Sequence, residues 1–191
     1  MSKYYITEKY LNGLSGIEIG PGAHNSYDLK NVTYVGLEIE IFSQEELKQG
    51  AIAPQKVDII CPGDSIPLPN SSQDYIFSSH VIEHMPNLWK TIEEWIRLIK
   101  AGGYIIIICP QPTAIDGDRQ LTTWDEIKKD RDEDMTVDTH PGEKYGHYHV
   151  YSSTTLKKYI NKISNDRLLW LETEDPDTKR YNGFTLVYRK I

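Results

Sequence analysis

Glu18, Glu38, Asp64 and His80 each lie inside or just after a short apolar run, where a polar side chain near a strand's end can reach a ligand. Glu18 belongs to Gly16-Ile17-Glu18-Ile19-Gly20-Pro21-Gly22, and the paired glycines Gly20 and Gly22 let a strand turn sharply with its backbone close to a bound molecule. The sign of the charge narrows the choice of molecule. A carboxylate at Glu18 repels a pyrophosphate and attracts an ammonium or sulfonium. A pyrophosphate site would also want a third glycine where Asn25 stands. Together the three acids suit a pocket for a cationic nucleoside, Glu38 accepting from ribose hydroxyls and Asp64 from an adenine amino group. Singly, Glu38 reads equally well as a solvated strand end, and Asp64 more readily as a turn former.

Five of the six histidines fall in two groups, His80 with His84, and His140 with His147 and His149. Imidazole suits proton transfer near neutral pH. His80 is the first candidate base because it follows a strand and faces the crevice beyond it. His84 reads instead as a buried histidine at a helix start that donates to backbone. In Gly146-His147-Tyr148-His149-Val150-Tyr151 the alternation would put His147 and His149 on one face if the segment is extended. A surface loop rich in His and Tyr is the other reading of the same residues.

The elements that must position these groups follow from patterning. Apolar runs predict strands at about 16–20, 34–39, 56–61, 75–77 and 104–108, the last an unbroken β-branched run of the kind covered on both faces of a parallel sheet. A stunted helix fits between Gly22 and Tyr34, and another from Ser43 to near Gly50. Leu88, Ile92, Trp95, Ile96 and Ile99 form a stripe at helical spacing, with Pro86-Asn87 as its start and Gly102-Gly103 as its stop. Residues 111–152, charged and punctuated by Pro and Gly, read as a substrate-facing insertion or lid with a helix at 123–129 and no core pattern after it. In it, the acidic run from Asp125 to Asp138 reads as solvated, and Trp124, Tyr145, Tyr148 and Tyr151 either stack on an acceptor or pack onto the core. A helix from Ser153 to Ile160 precedes two strands, 168–171 and 184–188, whose joining segment is too short for a crossover helix, so the pair should be antiparallel. Alternating strands and helices imply one α/β domain over 1–191 with a doubly wound sheet.

Composition removes other classes. With 21 Lys and Arg against 28 Asp and Glu, the net charge of −7 argues against a nucleic-acid partner. Residues 1–10 lack an apolar signal core, and the longest apolar run, Tyr104 to Cys109, is too short to cross a bilayer. Cys61 and Cys109 each close an apolar run and are not placed for a bridge, which fits a reducing cytoplasm.

Taken in order, Glu18-Ile-Gly-Pro-Gly22, Val35-Gly-Leu-Glu38, Gly63-Asp64-Ser65-Ile66-Pro67-Leu68-Pro69, Asp74 to His84 and Arg97-Leu-Ile-Lys-Ala-Gly-Gly103 resemble the successive motifs of class I S-adenosylmethionine-dependent methyltransferases over roughly residues 14–110. The resemblance implies a Rossmann-like sheet of seven strands, mostly parallel with the last antiparallel, covered by helices on both faces. It implies S-adenosylmethionine as cofactor: Glu18, Gly20 and Gly22 at its methionine and ribose, Glu38 at the ribose hydroxyls, Ile39 beside the adenine, Asp64 and Ser65 at the adenine edge, and Ser79 with His80 beside the sulfonium. Two departures stand out. The third glycine is missing, and the N-terminal helices that often cap the substrate are almost absent, leaving substrate binding to residues 111–152 or to a partner in a homodimer.

The activity expected is methyl transfer to a small-molecule acceptor, at an oxygen of a sugar or secondary metabolite, with His80 and one of His147 or His149 as base or acceptor-binding groups. His80, Glu83 and His84 with His147 or His149 also have metal-ligand spacing. Families with a Glu-x-x-Glu-His motif use a metal there, but His80 replaces the first acid and the expectation is no metal. Two rivals are a nicotinamide-dependent oxidoreductase and a cofactor-binding module that no longer catalyses and serves a partner.

Overall fold

A computed structural model describes residues 5–21, 27–37, 57–114, 119–142, 146–177 and 183–191. Its centre is a seven-stranded sheet in the order β3-β2-β1-β4-β5-β7-β6, formed by β1 (Gly16–Ile19), β2 (Val32–Gly36), β3 (Ile59–Ile60), β4 (Gln73–Ser79), β5 (Ile99–Pro110), β6 (Leu168–Asp177) and β7 (Gly183–Lys190). β1 to β5 pair in parallel, whereas β7 runs antiparallel to both β5 and β6. The reversal of strand order lies between β1 and β4, the place where such sheets take ligands beyond their carboxyl ends.

The pleat sorts side chains by alternation. Ile17, Ile19, Ile76, Ile105 and Ile107 face one layer of helices, with Ile92, Trp95 and Ile96 of α2 (Leu88–Leu98) and Leu156, Ile160 and Ile163 of α4 (Ser153–Ser164) in the same core. Tyr75, Phe77, Ile106 and Ile108 face the other side, against Ile6 and Leu11 of α1 (Tyr5–Leu11) and against Tyr27 and Leu29. Both faces are therefore covered, and the polyisoleucine run of β5 is buried through Ile108, as its β-branched composition requires.

Helix starts match their caps. Asn87 accepts from the Lys90 amide at 3.0 Å, and Thr123 forms a reciprocal capping box with Glu126 at the head of α3 (Trp124–Asp132). Two sequence expectations are corrected. Gly102 and Gly103 do not stop α2, which ends at Leu98 and passes directly into extended backbone at Ile99; both glycines lie within β5. There the register shifts between Gln73 and Tyr75, Gly102 takes a φ of 81°, and a Cβ on Gly103 would lie 2.6 Å from the Asp74 carbonyl oxygen. The glycines serve a β-bulge. The second correction concerns residues after α3, which carry core side chains: Met135, Tyr148, Val150 and Tyr151 are all buried. The helix expected from Ser43 to Gly50, most of the stunted helix after Gly22, and the positions Gly22, Glu38 and Ile39 lie outside the described residues. Among the described residues, no helix is long and apolar enough to cross a membrane.

Candidate functional site

Three loops meet beyond the carboxyl ends of the strands. Gly20, with a φ of 66°, follows β1, and a Cβ there would lie 2.4 Å from Cγ2 of Val81 in the loop after β4. Gly63, in the turn after β3, would place a Cβ 2.9 Å from Ile19 and 3.4 Å from Met85. The glycine turn, the Asp64 turn and the segment after β4 thus pack on one another, as expected from the positions of their acids. Gly20→Ala should cost at least about 1–2 kcal/mol from the left-handed backbone alone, with the Val81 clash in addition. Thermal unfolding measures it, and an unchanged midpoint would contradict the packing.

Glu18 is 2% exposed, between Tyr34 on β2 and Phe77 on β4 in register. Burial pushes its carboxyl up to about 8, and Oε2 has no hydrogen-bond partner among the described residues. An acid desolvated and unpartnered beside a strand-end turn is poised to gain from an arriving cation. On the same face Ser79 is engaged, its Oγ lying 2.6 Å from the Tyr27 hydroxyl. Asp64 is nearly buried and pairs with Lys90 Nζ at 3.3 Å, a partner from α2 that sequence reasoning missed. Ser65 is exposed, and its amide donates to the Pro62 carbonyl at 3.2 Å.

His80, directly after β4, takes a left-handed conformation, φ 55°, uncommon for a residue bearing a Cβ. Its amide remains tied to the Ile108 carbonyl at 2.9 Å, its Nδ1 lies 3.7 Å from Glu83 Oε1, and its Nε2 is buried and unpartnered among the described residues. Burial lowers its pKa, with a smaller contribution from His84, so the ring is a neutral base near pH 7. Glu83 and His84 form a short 3-10 turn, Ile82–His84. Glu83 is fully buried, its carboxyl pushed up to about 8 by desolvation, and neither carboxylate oxygen has a hydrogen-bond partner among the described residues. Its backbone carbonyl is doubly used, accepting from the amides of Tyr148 and His149 at 2.9 and 3.1 Å. Those two bonds fasten residues 146–150 over the end of β4.

His147 and His149 do not share a destination. The His147 ring lies 4.5 Å from the His84 ring, and His84 Nδ1 is 3.1 Å from the Gly146 carbonyl, the backbone bond expected for His84. His149 turns inward: it is 2% exposed, bonds the Pro86 backbone, and holds Nε2 3.6 Å from Asp130 Oδ2. Burial, aided by His140, depresses its pKa to about 4. Asp130 departs from the solvated acidic run, being 5% exposed on the face of α3 that also buries Ile127. The i, i+3 spacing from Ile127 was the available signal. Tyr148 and Tyr151 pack into the core, and Trp124 lies against Trp89 and Tyr159; Tyr145 lies outside the described residues.

The family described as "Methyltransferase domain" matches residues 17–107. An uncharacterised methyltransferase of Mycobacteroides abscessus is 27% identical over 103 residues, an alignment covering 51% of this chain and 40% of that one. The match therefore spans well under half the length of that curated relative. The fold of a SAM-dependent methyltransferase from Aquifex aeolicus covers 100% of this chain and 90% of its own, with a TM-score of 0.54 at 14% identity. The [4+2]-cyclase SpnF is similar too, covering 98% of this chain and 80% of its own, with a TM-score of 0.59 at 13% identity. The sequence match over the strand-end motifs and the seven-stranded topology agree: residues 17–107 match the methyltransferase-domain family, the fold is that of S-adenosylmethionine-dependent methyltransferases, and S-adenosylmethionine is the cofactor that family and fold imply.

Proposed function

We propose that this protein transfers the methyl group of S-adenosylmethionine to an oxygen of a small-molecule acceptor, of the sugar or secondary-metabolite class, in the cytoplasm. The observation that carries the reading is Glu18, a buried acid without a partner among the described residues, at the foot of a glycine turn packed on the segment that bears His80. Glu18, Gly20, Gly22, Glu38, Ile39, Asp64, Ser65, Ser79 and His80 are the residues assigned to the cofactor. The sulfonium makes the methyl carbon electrophilic; the protein's task is to exclude water, align an acceptor oxygen about 3 Å from that carbon and take its proton. As the O–CH3 bond forms, the S–CH3 bond breaks and its electron pair stays on sulfur, leaving a neutral thioether. His80 takes the hydroxyl proton, its neutral ring favoured by burial. His147, half-buried beside His84, flanks the acceptor. The inward, depressed-pKa His149 is favoured as a support for the 146–150 segment rather than as a base.

The net charge of −7 supports a small acceptor over a polyanion. A homodimer would supply cover for the acceptor beyond what residues 111–152 give. Calorimetry tests the cofactor: S-adenosylmethionine should bind and NAD should not, and Glu18→Gln should weaken binding about tenfold, the effect of losing roughly 1.4 kcal/mol. A screen of hydroxyl-bearing acceptors should find one that gains a methyl group. His80→Ala should keep cofactor binding and lose about 10²-fold or more in turnover. Binding of NAD in place of S-adenosylmethionine would overturn the reading. Cofactor binding with no acceptor methylated would favour a non-catalytic module.

A further inference from the structure

We propose that Glu83, His84 and His147 form a binding site for one divalent transition-metal cation of the Zn2+ and Co2+ type. Glu83 Oε1 lies 3.9 Å from His84 Nε2, and one ligand atom from each of the three residues lies within 4.8 Å of the other two. In a tetrahedral zinc site, bonds of about 2.0–2.2 Å set ligand atoms about 3.3–3.5 Å apart, so a small inward adjustment completes the set. Two features prepare it. Glu83 is 0% exposed with neither oxygen hydrogen-bonded among the described residues, a costly arrangement that a cation would relieve. His84 Nδ1 faces the Gly146 carbonyl, which can only accept, so Nδ1 carries the proton and Nε2 turns its lone pair toward Glu83. A backbone acceptor that fixes the tautomer in this way is the usual support of a ligating histidine.

The neighbouring group Asp130, His140 and His149 is also close-set, but its chemistry differs. His140 Nδ1 accepts from the Gly142 amide at 3.0 Å, so its Nε2 carries the proton and points a donor, not a lone pair, toward Asp130. That group is a buried hydrogen-bonding support. In the Glu83 site, two nitrogens and one oxygen suit a borderline transition cation over Mg2+ or Ca2+, which favour oxygen ligands. Three protein ligands leave a coordination position open. The turn that bears Glu83 and His84 follows Val81, whose side chain packs on Gly20. The site therefore adjoins the glycine turn. Resting on the methyltransferase reading, its role is to bind the acceptor hydroxyl, lower that group's pKa and ease release of its proton to His80 before methyl transfer.

The test uses the full chain without a polyhistidine tag, stripped with chelator, then titrated with Co2+ while its visible absorption is followed, with Zn2+ as competitor. One equivalent should bind, displaced by Zn2+, and His84→Ala and His147→Ala should each weaken binding by at least about tenfold, the lower bound for disturbing a metal's surroundings. His140→Ala, outside the 146–150 segment, should leave it unchanged. Glu83→Gln probes the buried ligand, and because it perturbs a buried position, His147→Ala at a partly exposed position is the decisive variant. No stoichiometric uptake, or uptake abolished by His149→Ala and indifferent to His147→Ala, overturns the proposal. S-adenosylmethionine binding is measured separately on the stripped protein: cofactor binding without metal uptake sinks this site alone, and metal uptake without cofactor binding sinks the functional reading alone.

Discussion

Replacing Trp95 by alanine is expected to remove about 3–5 kcal/mol of folding stability and to weaken cofactor binding along with it. Trp95 is the largest side chain fully buried in the molecule, in the core that α2 and α4 share with the sheet. Its removal leaves a cavity that neighbours fixed by the sheet fill poorly. The same side chain reaches the site. Its Nε1–H donates to the Gly63 carbonyl at 2.9 Å, in the turn that carries Asp64 and packs on Ile19 and Met85. Trp95→Phe keeps most of the volume and loses that bond, so it should cost about 1–3 kcal/mol, largely for the orphaned carbonyl. A domain of this kind holds roughly 5–15 kcal/mol in total, so the alanine variant should unfold at much lower urea. Its midpoint matching that of the native chain would show that α2 is not anchored as described.

The second large effect is a fall in stability as pH rises from 6.5 to 8. Glu18 and Glu83 have carboxyls raised by burial to about 8, against 4.5 when exposed. The folded state therefore holds their protons more tightly than the unfolded state. Between those values, raising the pH favours unfolding, by up to about 1.4 kcal/mol per pH unit for each group. Buried histidines act the opposite way. His149, depressed to about 4, and His80 and His140, lowered chiefly by burial, lose stability as pH falls below their ordinary value of 6.5. Asp130, raised by burial to about 6, titrates mainly below the window. Above pH 6.5 only the two acids remain among these groups, and the melting temperature should drop. Glu18→Gln and Glu83→Gln should each flatten the slope. S-adenosylmethionine should flatten it too, because a sulfonium favours ionised Glu18; its binding should release a proton and strengthen toward pH 8. Stability flat or rising across this window would mean that these carboxyls are already ionised.

The positions of most strands along the chain were legible in the residues themselves. Isoleucine runs bounded by Gly and Pro can do little else than form covered strands, the period from Leu88 to Ile96 fixes one apolar face of a helix, and Asn87 and Thr123 cap because their side chains bond amides three residues ahead. The short link between β6 and β7 forced an antiparallel pair. Such features depend on neighbours within a few residues, and spacing alone reports them.

Only the folded chain decided what the polar groups meet. His147 and His149, two residues apart, part toward His84 and Asp130 because residues 146–150 are fastened by the Glu83 carbonyl rather than laid out as a strand. Asp130 left its solvated run for the core, Lys90 came from α2 to Asp64, and Gly102 with Gly103 served a bulge in β5 instead of a helix end. These outcomes rest on contacts between residues far apart in the chain, where burial competes with local preference and wins. The sequence by itself determined the strands, the helix faces and the glycine turn; the tertiary structure decided which acids lost their water, and desolvation is what gives Glu18 and Glu83 their chemistry.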